Sequence, residues 1–284
     1  MTIDTLLKQA YGRLDTLSDT AQLDAQLLLA HIMGVSTTYF FTWPDKSVCD
    51  AHQVGFETLL ARREKGEPIA YILGEQDFWS LSLETSAHTL IPRADTERLV
   101  EVALDLLPQG AGSILDLGTG TGAIALALAK EWSASKVMGV DYQAEAVALS
   151  QSNAIRNDVS NAEFRQSNWF SEVKDAAPFE LIVSNPPYID PEDEHLTQGD
   201  VRFEPLTALI AQEKGMADIR HIVSQSKDYL VKKGWLMFEH GYDQGSAVRS
   251  LLEIHGFEEI ATYQDLGGND RVTVGRLIER SQGE

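Results

Sequence analysis

Two segments of the chain carry residue types whose spacing could do chemistry. The first is Ile114-Leu115-Asp116-Leu117-Gly118-Thr119-Gly120-Thr121-Gly122. Its glycines allow a sharp turn and a close backbone approach to a ligand, with no Cβ in the way. The amides that open the following helix can meet a ligand's polar groups. Asp141 ends the next strand pattern, where a carboxylate can accept hydrogen bonds from ribose hydroxyls. Together these residues describe a site for a nucleoside-bearing cofactor. Gly118, Gly120 and Ala123 also satisfy the dinucleotide spacing with alanine in third place, so on this turn alone a nicotinamide nucleotide stays open.

The second segment is Asn185-Pro186-Pro187-Tyr188, directly after the apolar run 179–184. Two prolines fix φ and remove two N–H donors, which makes a rigid turn with outward carbonyls. The Asn185 amide oxygen and the Pro186 carbonyl are two adjacent acceptors, suited to one planar NH₂ group. Tyr188 can pack on the flat face of the group that carries it. The turn sits at the C-terminal end of a strand, where open α/β sheets bind ligands. It reads as a holder for an amide or an aryl amine.

The elements that must position these segments fall into three stretches. Residues 1–75 read as helical. Leu6, Leu7, Ala10, Tyr11 and Leu14 follow the 3.6 period, and Leu23, Leu27, Leu28 and His31 continue it in a second helix that stops at Gly34. An aromatic corner, Tyr39-Phe40-Phe41 with Trp43-Pro44, suits either core or a docking surface. Asp50 could cap the next helix, which carries Val54, Leu59 and Leu60 and ends near Gly66. Residues 76–92 suggest a short β-hairpin connector. From 93 to 284 strands and helices alternate. Helices are expected over 95–107 (with Asp95 or Thr96 as cap), 122–131, 143–157, 215–231 and 243–254. Strands are expected over 113–117, 136–140, 162–166, 179–184, 235–239, 257–264 and 271–276. Such alternation implies a mostly parallel sheet with helices on both faces, closed by an antiparallel hairpin.

Composition bounds the function. Hydrophobic residues at 43% and charged residues at 23% exclude a mostly disordered chain. The net charge of −20 repels polyphosphate and argues against direct nucleic-acid binding. Cys49 stands alone, so no intrachain disulfide forms, which fits a cytoplasmic location; with no His or Cys neighbour it is expected to be inert and partly buried. No signal-peptide core appears at the N-terminus, and no run approaches the ~18 apolar residues of a membrane span. The seven histidines show no ligand spacing, so no metal is expected. No extended apolar seam appears, so a monomer is expected.

These residues resemble a family. Asp116 to Gly122, Asp141 and Asn185 to Tyr188 are similar to the S-adenosylmethionine-dependent amino-methyltransferases. Glu67-Pro68-Ile69-Ala70-Tyr71, Phe78-Trp79, Leu90-Ile91-Pro92-Arg93, Gly199-Asp200-Val201-Arg202-Phe203-Glu204-Pro205 and Glu239-His240-Gly241 extend the resemblance, over essentially the whole chain, to the release factor glutamine methyltransferases of the PrmC/HemK type. The resemblance implies a Rossmann-like class I methyltransferase domain behind a helical domain that docks the substrate protein. It implies methyl transfer from S-adenosyl-L-methionine to the side-chain amide nitrogen of the Gly-Gly-Gln glutamine of class-1 peptide chain release factors, leaving S-adenosyl-L-homocysteine. Gly118, Thr119, Gly120, Thr121, Gly122, Asp141, Asn168, Trp169 and Asn185 would then line the cofactor, with Trp169 beside the adenine. Asn185, Pro186, Pro187 and Tyr188 would hold the glutamine, with Asn185, Pro186 and Tyr188 acting on it. The family usually has aspartate where this chain has Asn168, which predicts weaker cofactor binding, and often proline where it has Ala94.

Three rival readings remain at this level. A DNA adenine-N6 methyltransferase also presents a planar NH₂ acceptor, but it would need base flipping and a basic track. A nicotinamide-dependent oxidoreductase accounts for the glycine turn and leaves Asn185 to Tyr188 without a task. A silent docking module would need neither motif.

Overall fold

A computed structural model describes residues 1–278; the last residues of the expected 93–284 segment, 279–284, lie outside the described residues. The chain divides into two compact units. The first holds Met1–Glu75 together with Glu194–Phe203, and the second holds 76–193 and 204 onward.

The first unit is helical: α1 (Ile3–Leu14), α2 (Ala21–Met33), α3 (Thr38–Thr42), α4 (Asp50–Glu64) and α5 (Ile69–Leu73). The Thr2 hydroxyl accepts the Thr5 amide at 3.3 Å to cap α1, and Gly34 closes α2 in the left-handed region at φ 64. Ile3, Leu6, Leu14, Leu28, Leu29, Phe56 and Leu60 form its core. The buried face of α2 differs from the one its apolar spacing predicts. Leu23 and His31 are exposed, while Asp24 is buried with Ala25, Leu28 and Leu29. The cause is Arg63, itself buried, whose Nε donates to Asp24 Oδ2 at 2.8 Å. Its Nη1 donates to Asp200 Oδ1 at 2.8 Å and its Nη2 to Ser18 Oγ at 3.1 Å, so the 194–203 segment is stitched to this unit through a satisfied buried cation. Cys49 rather than Asp50 is the N-cap of α4, and it is exposed, not partly buried. Phe40 is core, whereas Phe41 and Trp43 are 73% and 55% exposed.

The second unit opens with a hairpin, β1 (Glu75–Phe78, the first residue shared with the helical unit) and β2 (Leu81–Glu84). It then runs α6 (Ala94–Leu106), β3 (Ser113–Leu117), α7 (Ala123–Glu131), β4 (Lys136–Asp141), α8 (Ala144–Arg156), β5 (Ala162–Gln166), β6 (Phe179–Ser184), α9 (Ala217–Ser226), β7 (Leu230–Glu239), α10 (Gly245–Ile254), β8 (Phe257–Gln264) and β9 (Asp270–Leu277). The sheet order is β5-β4-β3-β6-β7-β9-β8. β3 to β7 pair in parallel, β9 joins β7 antiparallel, and β8–β9 is the terminal antiparallel pair. This is the Rossmann-like α/β arrangement. Strand order reverses between β3 and β6, and a ligand crevice belongs at the carboxyl ends of strands beside such a switch point.

Alternate strand residues serve the two faces. Ile114, Leu181, Val183 and Met237 pack with α6 and α7 on one side. Leu115, Ile182, Leu236 and Phe238 pack with α9 and α10 on the other. The hairpin belongs to the first of these cores through Leu81 and Leu83. It is tied to α8 by Asn153, whose Oδ1 accepts the Glu84 amide at 2.7 Å and whose Nδ2 donates to the Thr121 carbonyl at 2.9 Å. One buried side chain thus links the hairpin to the glycine turn. Neither Asp95 nor Thr96 caps α6: the N-cap is Arg93, without a side-chain cap bond, and both residues lie in the first turn.

Candidate active site

The carboxyl ends of β3, β4, β5 and β6 surround a cavity of ≈ 370 Å³. Gly118, Thr119, Gly120, Thr121, Asp141, Asn168, Trp169, Asn185 and Pro187 all face it. The two segments singled out by their chemistry therefore share one cavity. Gly122, Pro186 and Tyr188 do not form its wall. Gly122 instead allows the entry to α7: its φ is +85, and a Cβ there would stand 3.0 Å from the Ser150 side chain. Pro186 is buried, and Tyr188 reaches back into the protein.

The glycine turn is fixed by strand β4 and by Asp116. The amides of Gly118 and Thr119 both donate to the Val140 carbonyl at 2.9 Å. Asp116 Oδ2 accepts the Thr119 hydroxyl at 2.7 Å and the Ala125 amide at 3.3 Å, while Oδ1 has no hydrogen-bond partner among the described residues. Burial pushes this carboxyl up to about 7, against the pull of those two donors. Asp141 Oδ2 accepts the Gly120 amide and Oδ1 the Gln143 amide, each at 2.9 Å. Burial raises its pKa too, opposed by these backbone N–H groups.

The residues fit a nucleoside-bearing cofactor. A Cβ on Gly120, at φ +56, would meet nothing within 4 Å, so the turn leaves room against its own backbone. The two Asp141 oxygens accept the Gly120 and Gln143 amides, and a carboxylate has about four acceptor sites, which leaves capacity for a hydroxyl. Trp169, at φ 50, stands with its ring edge 3.6 Å from where a Gly118 Cβ would be. It is half-buried at the cavity wall rather than core, and Asn168 beside it is exposed.

The Asn185 to Tyr188 turn is held from behind by residues from distant segments of the chain. Asn185 Nδ2 donates to the Thr96 hydroxyl oxygen at 3.3 Å, which turns its Oδ1 the other way. Tyr188 donates its hydroxyl to Glu239 Oε1 at 3.2 Å. Burial, with the Glu239 carboxylate opposite, pushes the phenol far above its usual range, so it remains a donor. Gln244 Nε2 donates to the Tyr188 carbonyl at 2.9 Å. Gly215 packs so closely that a Cβ would lie 2.0 Å from that same carbonyl oxygen. Glu204, buried, accepts the Ile91 amide at 3.0 Å and pairs with Arg93. The sequence signals for this support are Glu239-His240-Gly241 at the end of β7, with Leu90 to Arg93 and Gly199 to Pro205, which hold Ile91, Arg93 and Glu204. Thr96 reads only as a helix cap, and Gly215 and Gln244 carry no signal.

Comparison with known proteins agrees with the fold and extends it. The model of the PrmC N-terminal domain matches residues 5–74, and that of the methyltransferase small domain matches residues 96–201. A release factor glutamine methyltransferase of Aliivibrio fischeri is 53% identical over 280 residues, 98% of each chain. The protein of that description from Escherichia coli K12 is 48% identical over 273 residues, 96% of this chain and 98% of its own. Among solved structures, a methyltransferase from Pyrococcus furiosus superposes with a TM-score of 0.54 at 17% identity, covering 78% of this chain and all of its own, a likeness of fold. Similarity at this level along nearly the entire chain places it in a family: the chain belongs to the release factor glutamine methyltransferases.

Proposed function

We propose that the chain transfers the methyl group of S-adenosylmethionine to the side-chain amide nitrogen of a glutamine in class-1 peptide chain release factors. The observation that carries this reading is the placement of Asn185, at the end of β6, on the wall of the cavity that also receives the glycine turn and Asp141. The relatives' names supply the acceptor class.

Bound S-adenosylmethionine supplies an electrophilic methyl on a sulfonium. Asp141 binds ribose hydroxyls with the lone pairs its backbone bonds leave free. Gly118 to Thr121 allow close approach to the backbone, and Trp169 with Asn168 borders the adenine. An amide nitrogen is a poor nucleophile because its lone pair is delocalised. Asn185 Oδ1 accepts an N–H of the glutamine, orienting it and favouring a pyramidal nitrogen, while Pro186, off the cavity wall, fixes the turn. Pro187 borders the cavity beside them, and Tyr188 anchors the end of the turn on Glu239. The residues thus act by positioning and by fixed dipoles; as the N–C bond forms, the methyl–sulfur bond would break to leave S-adenosylhomocysteine, and the amide proton would pass to water. The helical unit, with Phe41 and Trp43 exposed, docks the substrate protein.

A DNA adenine methyltransferase would use a similar turn, but the net charge of −20 opposes binding to a phosphate backbone. Incubation with methyl-labelled S-adenosylmethionine and a recombinant release factor tests the reading. Label on the factor, and none when its Gly-Gly-Gln glutamine is alanine, supports it. Label on both moves the target, and label on neither overturns it.

A further inference from the structure

Gln244 is the N-cap residue of α10, and only 9% of it is exposed. Its side-chain amide meets three backbone groups from three segments. Oε1 accepts the Gly241 amide at 2.9 Å. Nε2 donates to the Tyr188 carbonyl at 2.9 Å and to the Lys214 carbonyl at 3.3 Å. A backbone N–H can only donate, and a carbonyl can only accept. The three groups therefore agree on one orientation of the amide, and turning it over would break all three bonds. Gly241 is itself fixed. Its carbonyl accepts the Gln244 backbone amide at 2.9 Å and faces Nδ1 of the buried His240 at 2.8 Å. A carbonyl partner means that Nδ1 carries a proton and donates it.

The two carbonyls that Gln244 holds stand at the two ends of one excursion, which leaves at Tyr188 and returns at Lys214. Just inside these ends the Ile189 amide donates to the Leu209 carbonyl at 2.9 Å, and the Ala211 amide to the Ile189 carbonyl at 3.0 Å. These bonds and Gln244 close the base of the excursion. Gly215 permits the closure, since a Cβ there would stand 2.6 Å from Gln244 Nε2. The chain entering the base gives the cavity Asn185 and Pro187, and the chain returning to it gives Thr207 and Ala208. Burying an amide costs free energy unless its groups are paired, so packing alone does not call for one here. Pairing three backbone groups at once does. We propose that Gln244 is a positioning residue: it clamps both ends of the excursion and so fixes where Asn185 stands relative to Thr207 and Ala208 in the cavity wall. This rests on Asn185 binding the acceptor, as proposed above.

The test uses the full chain, with labelled S-adenosylmethionine, a release factor, and hydrogen exchange read by mass spectrometry. Gln244→Glu keeps the shape and the bond to Gly241 but sets an oxygen against two carbonyls. Gln244→Met keeps the length and makes none of the three bonds. Each should lower kcat by about 10- to 100-fold, with KM for the factor and Kd for S-adenosylhomocysteine held within about threefold. The affinity for S-adenosylhomocysteine holds because the glycine turn and Asp141 follow other strands. Peptides across 186–213 should exchange about tenfold faster than in the wild type, and peptides across 113–125 at the wild-type rate.

Wild-type kcat in Gln244→Met, beside an active wild type, overturns the proposal alone, however fast the exchange. A lower kcat with unchanged exchange across 186–213 also overturns it, because the base is then closed without Gln244. Equal losses of kcat and S-adenosylhomocysteine affinity, with faster exchange in both regions, are the pattern of a general structural role and overturn it too. If Gln244→Glu does not fold, Gln244→Met decides by the same readings. No transfer by the wild type overturns the functional reading, and the proposal falls with it.

Discussion

Gly120 donates its backbone N–H to Oδ2 of Asp141 at 2.9 Å, so the acid that ends β4 holds the tip of the turn that follows β3. The carboxylate orders the glycine turn, and in the proposed reading it would also bind ribose. Asp141→Asn replaces one acceptor oxygen with a donor facing a donor. The dissociation constant for S-adenosylhomocysteine should rise by about 10- to 100-fold, through loss of one charge-assisted bond and of the turn's order. Isothermal titration calorimetry reads this directly. An unchanged constant would mean that Asp141 does neither task.

Asn168 lies exposed at the cavity wall next to Trp169. Its carbonyl is a neutral acceptor, whereas a carboxylate forms shorter and stronger hydrogen bonds to an N–H donor such as the adenine amino group. Asn168→Asp should tighten cofactor binding by about 3- to 10-fold. Equal affinities for the two proteins by calorimetry would remove the side chain from the adenine site.

Asp116 carries a pH signature. Its carboxyl is raised from 3.8 to about 7 by burial, so between these values the folded chain holds a proton that the unfolded chain has released. Its contribution to stability is therefore complete below pH 3.8 and is lost as pH rises through about 7. Asp116→Asn keeps an acceptor for Thr119 and Ala125 and does not titrate. The stability of the wild type relative to Asp116→Asn should fall by on the order of 3 kcal/mol from pH 4 to pH 8, measured by denaturant unfolding at each pH. A difference that stays flat with pH would show that Asp116 keeps one charge state throughout.

Asn185→Ala removes the acceptor oxygen and leaves the cofactor wall otherwise intact. It should cut turnover by about 100-fold or more, the scale of a lost preorganised hydrogen bond in a transition state, while cofactor affinity changes little. Single-turnover rates beside calorimetry separate the two. Equal losses in rate and affinity would move Asn185 from the acceptor to the cofactor.

How far the sequence reaches depends on how local the cause is. Strands 113–117 and 179–184 read with the bounds the fold gives them, because parallel strands buried on both faces are unbroken apolar runs. The glycine turn and Asp141 converge because the βαβ unit itself brings successive strand ends together. Periodicity fails where a polar residue has a distant partner. Asp24 points inward because Arg63 pairs with it there, so the buried face of α2 departs from its apolar spacing. Strand β7 begins at Leu230, five residues before the expected start, because Lys232, Lys233 and Gly234 form an irregular stretch opposite Phe179 to Leu181 that reads as a turn. The expected caps failed because Asp50 and Asp95 are already inside their helices, and the Thr96 hydroxyl is bonded to Asn185 instead. The helix α5 and the short 3₁₀ turns between 194 and 208 are too brief to show a period. Most of the backing of the Asn185 to Tyr188 turn lies beyond the sequence because its residues come from distant segments. Thr96, Gly215, Glu239 and Gln244 meet only once the sheet has formed.

Gly215 carries the last test of that support. It lies at φ +79, where an L side chain is strained, and a Cβ would stand 2.0 Å from the Tyr188 carbonyl oxygen and 2.6 Å from Gln244 Nε2. The first of these is backbone and cannot swing aside, so alanine must push the Asn185 to Tyr188 turn or break its bond to Gln244. Gly215→Ala should cost about 1–3 kcal/mol of stability from overpacking and the unfavourable φ. It should also lower kcat more than it weakens S-adenosylhomocysteine, because the glycine turn and Asp141 lie on other strands. Unfolding curves, calorimetry and methyl-transfer rates on the one variant distinguish the cases. Wild-type turnover with reduced stability would mean that the turn absorbs the shift without moving Asn185, and that the acceptor site does not depend on the backing at Tyr188.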